Sequence, residues 1–162
     1  MASRVACVSD TVLIIDGHSM AFRAFYALPP DSFVTATGQH TNAVYGFVSM
    51  LTRLLETEQP THVAVAFDVS RHSFRTEEYP EYKGTRDATA EEFKGQVELI
   101  REVLDAMGIV SLSREGFEAD DILATLAYRA GNDGATVLVV SGDRDSFQTV
   151  TDNVTVLYPG TG

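Results

Sequence analysis

Thr11-Val12-Leu13-Ile14-Ile15-Asp16-Gly17 is a β-branched apolar run that breaks on an aspartate, and its reading decides the fold. A short run of this kind, closed by turn residues, predicts a strand. The same grammar returns at His62-Val63-Ala64-Val65-Ala66-Phe67-Asp68. It returns again at Ala135-Thr136-Val137-Leu138-Val139-Val140-Ser141, which runs into Gly142-Asp143-Arg144-Asp145. Weaker strands are read over 109–112 and 154–158. Between the runs lie stretches of helical period. Asn42–Glu58 carries Val44, Phe47, Val48, Leu51, Leu54 and Leu55 at helical spacing, and Pro60 stops it. Thr89-Ala90-Glu91-Glu92 has the pattern of a capping box and predicts a helix over 89–107. A third helix is predicted over 118–130, with Gly131 after its end. Strands alternating with helices predict an α/β fold with a mainly parallel central sheet flanked by helices. Segment 69–88 fits neither period; it mixes Arg71, His72, Arg75, Lys83 and Arg86 with Glu77, Glu78 and Glu81 and is read as a polar excursion from the sheet edge.

Composition bounds the rest. The 162 residues are 44% apolar and 22% charged, enough to close one core. No repeat or polar linker divides them, so the expected organisation is an N-terminal tail over 1–10 and a single core over 11–162. Cys7 is the only cysteine, so no intrachain disulfide can form. The first residues lack a signal-peptide pattern, and no run approaches the roughly 18 apolar residues that span a bilayer. A cytoplasmic protein with no membrane partner is expected. Twelve Lys and Arg stand against 23 Asp and Glu, a net charge of −11. That balance argues against coating DNA or an anionic membrane through bulk charge. Where the acids sit therefore matters more than their number.

In an open parallel sheet, ligands bind beyond the carboxyl ends of the strands. Asp16, Asp68, Asp143 and Asp145 all stand where a strand ends. Glu118-Ala119-Asp120-Asp121 follows the weak strand and opens a helix, whose first turn brings three more acids toward the same edge. Any one of these acids alone is more often a turn or helix-start residue. Four junctions ending in acid instead predict a site where seven carboxylates converge. Crowded carboxylates raise one another's pKa, and a bound cation relieves them. With oxygen donors and no His or Cys cluster at metal spacing, the ion expected is hard, Mg²⁺ or Mn²⁺. Pairs of such ions about 4 Å apart serve in-line phosphoryl displacement. No P-loop competes with this reading, and Ser19, Ser141 and Ser146 read as capping residues rather than nucleophiles. The histidines His18, His40, His62 and His72 read as mostly solvated or capping. Removing the seven site acids from the 23 leaves 16 against 12 bases, so the acidity does not exclude a nucleic-acid substrate.

Five motifs then form a familiar series. Ile15-Asp16-Gly17-His18-Ser19 with Phe22-Arg23-Ala24-Phe25-Tyr26 is followed by Ala66-Phe67-Asp68 and Tyr82-Lys83-Gly84-Thr85-Arg86. Gly116-Phe117-Glu118-Ala119-Asp120-Asp121 and Ser141-Gly142-Asp143-Arg144-Asp145 complete it. In this order, over nearly the whole chain, they resemble the 5′-nuclease (5′-3′ exonuclease) domain of bacterial DNA polymerase I, in the flap-endonuclease superfamily with its PIN-like, Rossmann-like sheet.

The resemblance implies divalent-metal-dependent cleavage of DNA at 5′ flaps and 5′ ends, including RNA primer ends, in replication and repair, a nucleoid-associated role in the cytoplasm. It implies that Asp16, Asp68, Glu118, Asp120, Asp121, Asp143 and Asp145 are metal-site acids, some acting through water. Lys83 and Arg86 match the bases that reach the scissile phosphate from the arch, which segment 69–88 would form; from the residues alone they read as a solvated loop pair. Arg23 and Tyr26 match the gateway beside the first aspartate, and Arg71 and Arg75 join the bases expected to meet phosphate. Phe22 and Phe25 read as a buried helix face. Family members continue with a helix-three-turn-helix element and a last set of metal carboxylates. A chain ending at Gly162 is therefore expected to be a truncated fragment with an incomplete second metal site and a weak DNA grip, and a polymerase domain could follow in the parent. Two other readings stay open: a catalytically inactive metal- or DNA-binding module, and a stand-alone PIN-like ribonuclease.

Overall fold

The computed structural model describes residues 10–69 and 90–158. Five strands, β1 (Thr11–Asp16), β2 (His62–Ala66), β3 (Val110–Leu112), β4 (Thr136–Val140) and β5 (Val154–Leu157), form one sheet in the order β3-β2-β1-β4-β5. Every neighbouring pair is parallel. Parallel neighbours cannot be joined by hairpins and need crossovers. Among the described residues four helices lie in those connections: α1 (Gly17–Ala27) and α2 (Asn42–Glu58) between β1 and β2, α3 (Gln96–Ala106) between β2 and β3, and α4 (Ala119–Asn132) between β3 and β4.

The sheet is covered on both faces, which is why its strands read as unbroken apolar runs. Leu13 and Ile15 pack with Met20, Phe47, Leu51, Ile100 and Leu104 from α1, α2 and α3. Ile14, between them, points the other way and packs with Leu123 and Ala127 of α4. All three β1 residues are fully buried, each burial stabilising by roughly 1.5–3 kcal/mol. The chain steps outward from β1 to β2 and β3, then crosses back to β4 and β5 on the other side. The β1/β4 boundary is therefore a topological switch point, and its carboxyl end opens into a crevice.

Two helix boundaries differ from those read in the sequence. The predicted 89–107 helix is a 3₁₀ turn at Glu91–Phe93 followed by α3 from Gln96. Gly95 separates them at φ 76°, a left-handed conformation that interrupts a helix and suits glycine; Thr89 lies outside the described residues. The third helix extends to Asn132, with Gly131 inside it. Helix α1 follows β1 without a loop, Asp16 being both the last strand residue and the N-cap.

A buried amide pair ties the helical layer together. Thr41 offers α2 no side-chain cap, so Gln96 of α3 supplies one: its Oε1 accepts the Ala43 and Val44 N–H groups at 2.8 and 3.3 Å. The Gln96 Nε2 donates to Asn42 Oδ1 and Glu92 O, both at 2.8 Å. Asn42 Nδ2 donates to Phe25 O and Leu28 O at the end of α1, both at 3.0 Å. Three helix ends are thus satisfied by two fully buried neutral side chains.

Candidate metal centre at the carboxyl edge of the sheet

Asp16 stands at the switch point, buried at 7% exposure. Its Oδ1 accepts the Ser19 N–H at 2.9 Å, capping α1, and its Oδ2 accepts the Ser141 hydroxyl at 3.1 Å. The same Ser141 oxygen accepts the Asp143 N–H at 3.1 Å, so one buried hydroxyl joins the acid after β1 to the acid after β4. Ser19 Oγ accepts the Gly142 N–H at 2.8 Å, a second link across the same boundary. Asp143 is exposed, and its Oδ1 accepts the Asp145 N–H at 3.0 Å. Burial pushes the Asp16 carboxyl above its ordinary range; the Ser19 and Ser141 hydrogen bonds oppose this, and the Asp68 charge adds to it.

A second group of acids lies on the β2 side of the edge. Asp68 Oδ1 accepts the Ala119 N–H at 2.6 Å, placing a carboxylate on the first turn of α4. Glu118 and Asp121 form a reciprocal capping box, the Glu118 side chain taking a first-turn N–H and Asp121 Oδ2 taking the Glu118 N–H at 3.0 Å. Asp120 is half-buried in the same turn. Between the two groups, His18 Nδ1 accepts the Asp68 N–H at 3.2 Å, which assigns the ring proton to Nε2 in the neutral form. Burial holds the His18 pKa below its ordinary value, against the pull of Asp68 and Asp16. The approach of Asp68 Oδ2 to Nδ1 at 3.8 Å is therefore not an ion pair with a charged ring. The ring meets Phe67 edge-on, and a Cβ at Gly17 would fall 2.4 Å from the Phe67 ring, so only glycine admits this packing.

The gateway residues sit on α1. Arg23 is half-buried, while Tyr26 is 78% exposed and stacked at 6.5 Å on Phe22. Phe25 is buried and Phe22 half-buried against Phe93. Lys83, Arg86, Arg71 and Arg75 lie outside the described residues. Ser19 and Ser141, expected only to cap, bridge the β1/β4 boundary, and His18, expected to be solvated or capping, is half-buried beside Asp68. The available signal was their position beside strand-end acids.

The acids fit a hard divalent cation by donor type and by their common edge. They do not form a cage: among the described residues no three His, Cys, Asp or Glu side chains stand together closely enough to hold an ion. This differs from the convergence read in the sequence. Uncompensated carboxylates repel, and Asp16, Asp68, Asp121 and Asp143 each turn to a neighbouring N–H or O–H. Carboxylate oxygens so engaged keep further lone pairs for a metal or for water between acid and metal.

With this geometry, the chain is similar to several known proteins. Residues 11–161 match the family model described as 5′-3′ exonuclease, N-terminal resolvase-like domain. DNA polymerase I of Mycobacterium tuberculosis is 59% identical over 152 residues, covering 94% of this chain; the chain spans only 17% of that relative. Among solved structures, bacteriophage T5 5′-exonuclease with divalent metal ions (zinc) bound shares 25% identity at a TM-score of 0.69, covering 91% of this chain and 55% of the other. The T5 flap endonuclease in a complex with DNA and metal ions shares 25% at 0.65, covering 91% and 54%. A match over almost the entire chain, on a parallel sheet whose strand ends carry the acids, makes this chain a member of the 5′-3′ exonuclease N-terminal domain family.

Proposed function

We propose that the chain is the metal-binding core of a structure-specific 5′ nuclease that hydrolyses DNA phosphodiesters at 5′ flaps and 5′ ends, including RNA primer ends, within a longer polymerase-containing protein. The observation that carries this reading is the Asp16–Ser141–Asp143 link at the switch point, where an α/β sheet binds its ligand. Asp16, Asp68, Glu118, Asp120, Asp121, Asp143 and Asp145 would hold the ions, Mg²⁺ or Mn²⁺ by donor hardness. Divalent ions held there would offset the charge of the phosphodiester and acidify water for hydrolysis. Ser141 fixes the orientation of the Asp16 carboxylate, and the neutral His18 leaves the acidic charge available to a cation. Lys83 and Arg86 are assigned to the scissile phosphate; Arg23, Tyr26, Arg71 and Arg75 are assigned to the flanking nucleotides.

The test is cleavage of a labelled 5′-flap duplex with Mg²⁺ or Mn²⁺, beside single-stranded RNA. Metal-dependent cutting at the flap junction is expected, lost in Asp143→Asn. Preference for single-stranded RNA would favour a PIN-like ribonuclease. The uncaged acids favour one further alternative, a module that binds metal or DNA without turnover, and flap binding with no cutting under any divalent ion would select it.

A further inference from the structure

Arg101 of α3 has no carboxylate partner among the described residues, although Glu98 lies one turn away. Its guanidinium lies 4.5 Å from the centroid of Phe67, over the ring face. Phe67 is fully buried, is pinned by Gly17 and His18, and immediately precedes Asp68. Stacking occupies one face of the guanidinium and leaves its N–H edge for a planar or tetrahedral oxyanion. That edge borders a cleft of about 760 Å³ between α3 and the end of β2, lined by His18, Asp68, Lys94, Glu98, Arg101 and Ser113 among others. Lys94, the other Lys or Arg among the described residues lining the cleft, is engaged by Glu91 at 2.6 and 2.7 Å. Arg101 is therefore a pre-oriented positive group with no carboxylate partner among the described residues, next to the acids proposed to hold the metal ions.

We infer that Arg101 binds a backbone phosphate of the DNA strand on the β2 side of the reacting phosphodiester, with Phe67 as the platform that fixes its direction. The inference rests on the nuclease reading and adds a substrate contact to it. Acids elsewhere in the cleft, Asp68, Glu91 and Glu98, keep it from attracting DNA by bulk charge, so this contact positions the strand more than it concentrates it.

Binding of a fluorescent 5′-flap duplex in chelator, followed by anisotropy across a salt series, separates the outcomes. Arg101→Gln keeps much of the stem over Phe67 and deletes the charge; it should weaken binding about tenfold and flatten the slope of log K against log salt by about 0.7–0.9. Arg101→Lys keeps the charge and loses the planar edge; it should retain the slope and lose affinity by roughly threefold. Unchanged affinity and slope in Arg101→Gln overturn the inference and leave the nuclease reading standing. If Arg101→Gln unfolds early, the lysine variant decides, and unchanged affinity there overturns the contact. If the unsubstituted chain neither binds the flap in chelator nor cuts it with Mg²⁺ or Mn²⁺, both readings are overturned.

Discussion

The molecule buries polar side chains in two places, and they have opposite electrostatic character. At the α1–α2–α3 junction, Asn42 and Gln96 are neutral and every polar atom of both side chains has a partner. At the β1/β4 boundary, Asp16 is nearly as deeply buried and also accepts two hydrogen bonds, yet burial still raises its pKa. Hydrogen bonds satisfy an amide completely, whereas a carboxylate also carries a charge that neutral donors offset only in part. The junction holds the fold together. The edge keeps a buried carboxylate whose charge its neutral partners offset only in part, which is the feature the proposed cation site relies on.

The sharpest break between the two regions should be in activity. Asp143→Asn and Asp16→Asn should each lower flap cleavage by roughly 100-fold or more while the fold survives, measured by single-turnover cleavage beside a thermal melt. Asn retains an oxygen able to cap α1 at position 16, so in chelator Asp16→Asn should melt no lower than the parent. Gln96→Leu reverses the pattern. It strands the Ala43 and Val44 N–H groups and Asn42 Oδ1, and should cost roughly 3 kcal/mol, lowering Tm by about 6–12 °C. Ser141→Ala lies between them: about 1 kcal/mol of stability and about tenfold in Mn²⁺ affinity, read by denaturant midpoint and by metal titration.

The smallest effect is the pH dependence in chelator. Asp16 has a raised pKa, so the folded chain binds its proton more readily than the unfolded chain does; stability falls as pH rises from the ordinary carboxyl value through the raised one. His18 has a lowered pKa, so the unfolded chain protonates first, and stability falls as pH drops from 6.5 through the lowered value. Urea midpoints across pH should show two arms of opposite sign. Asp16→Asn should remove the acid-stabilised arm and keep the other.

Much of this was legible in the sequence where local chemistry decides. The strands announced themselves because a sheet covered on both faces needs no polar alternation, and α2 was legible to the residue because Pro60 and six apolar positions frame it. The acids were legible as the residues on which strands end. What was hidden depends on partners distant in sequence. Gly95 interrupts the predicted helix so that Gln96 can reach the start of α2, more than fifty residues earlier. The Ser141 hydroxyl takes its role from Asp16, 125 positions away. How closely the acids approach one another was not legible, because periodicity locates carboxylates on an edge but does not include their mutual repulsion; among the described residues no three of them stand together. Membership of the family was legible from motif order. No helix among the described residues is long and apolar enough to cross a membrane, in line with the absence of apolar spans in the sequence.

The central claim is that the carboxyl edge is a divalent-metal site built around the Asp16–Ser141–Asp143 link. A crystal of the chain soaked in Mn²⁺ and measured for anomalous scattering tests it most directly. A manganese peak at the β1/β4 edge, coordinated directly or through water by Asp16 or Asp143 and lost in Asp143→Asn, is the predicted result. An ordered edge with no manganese, at concentrations where flap cleavage saturates, would contradict it.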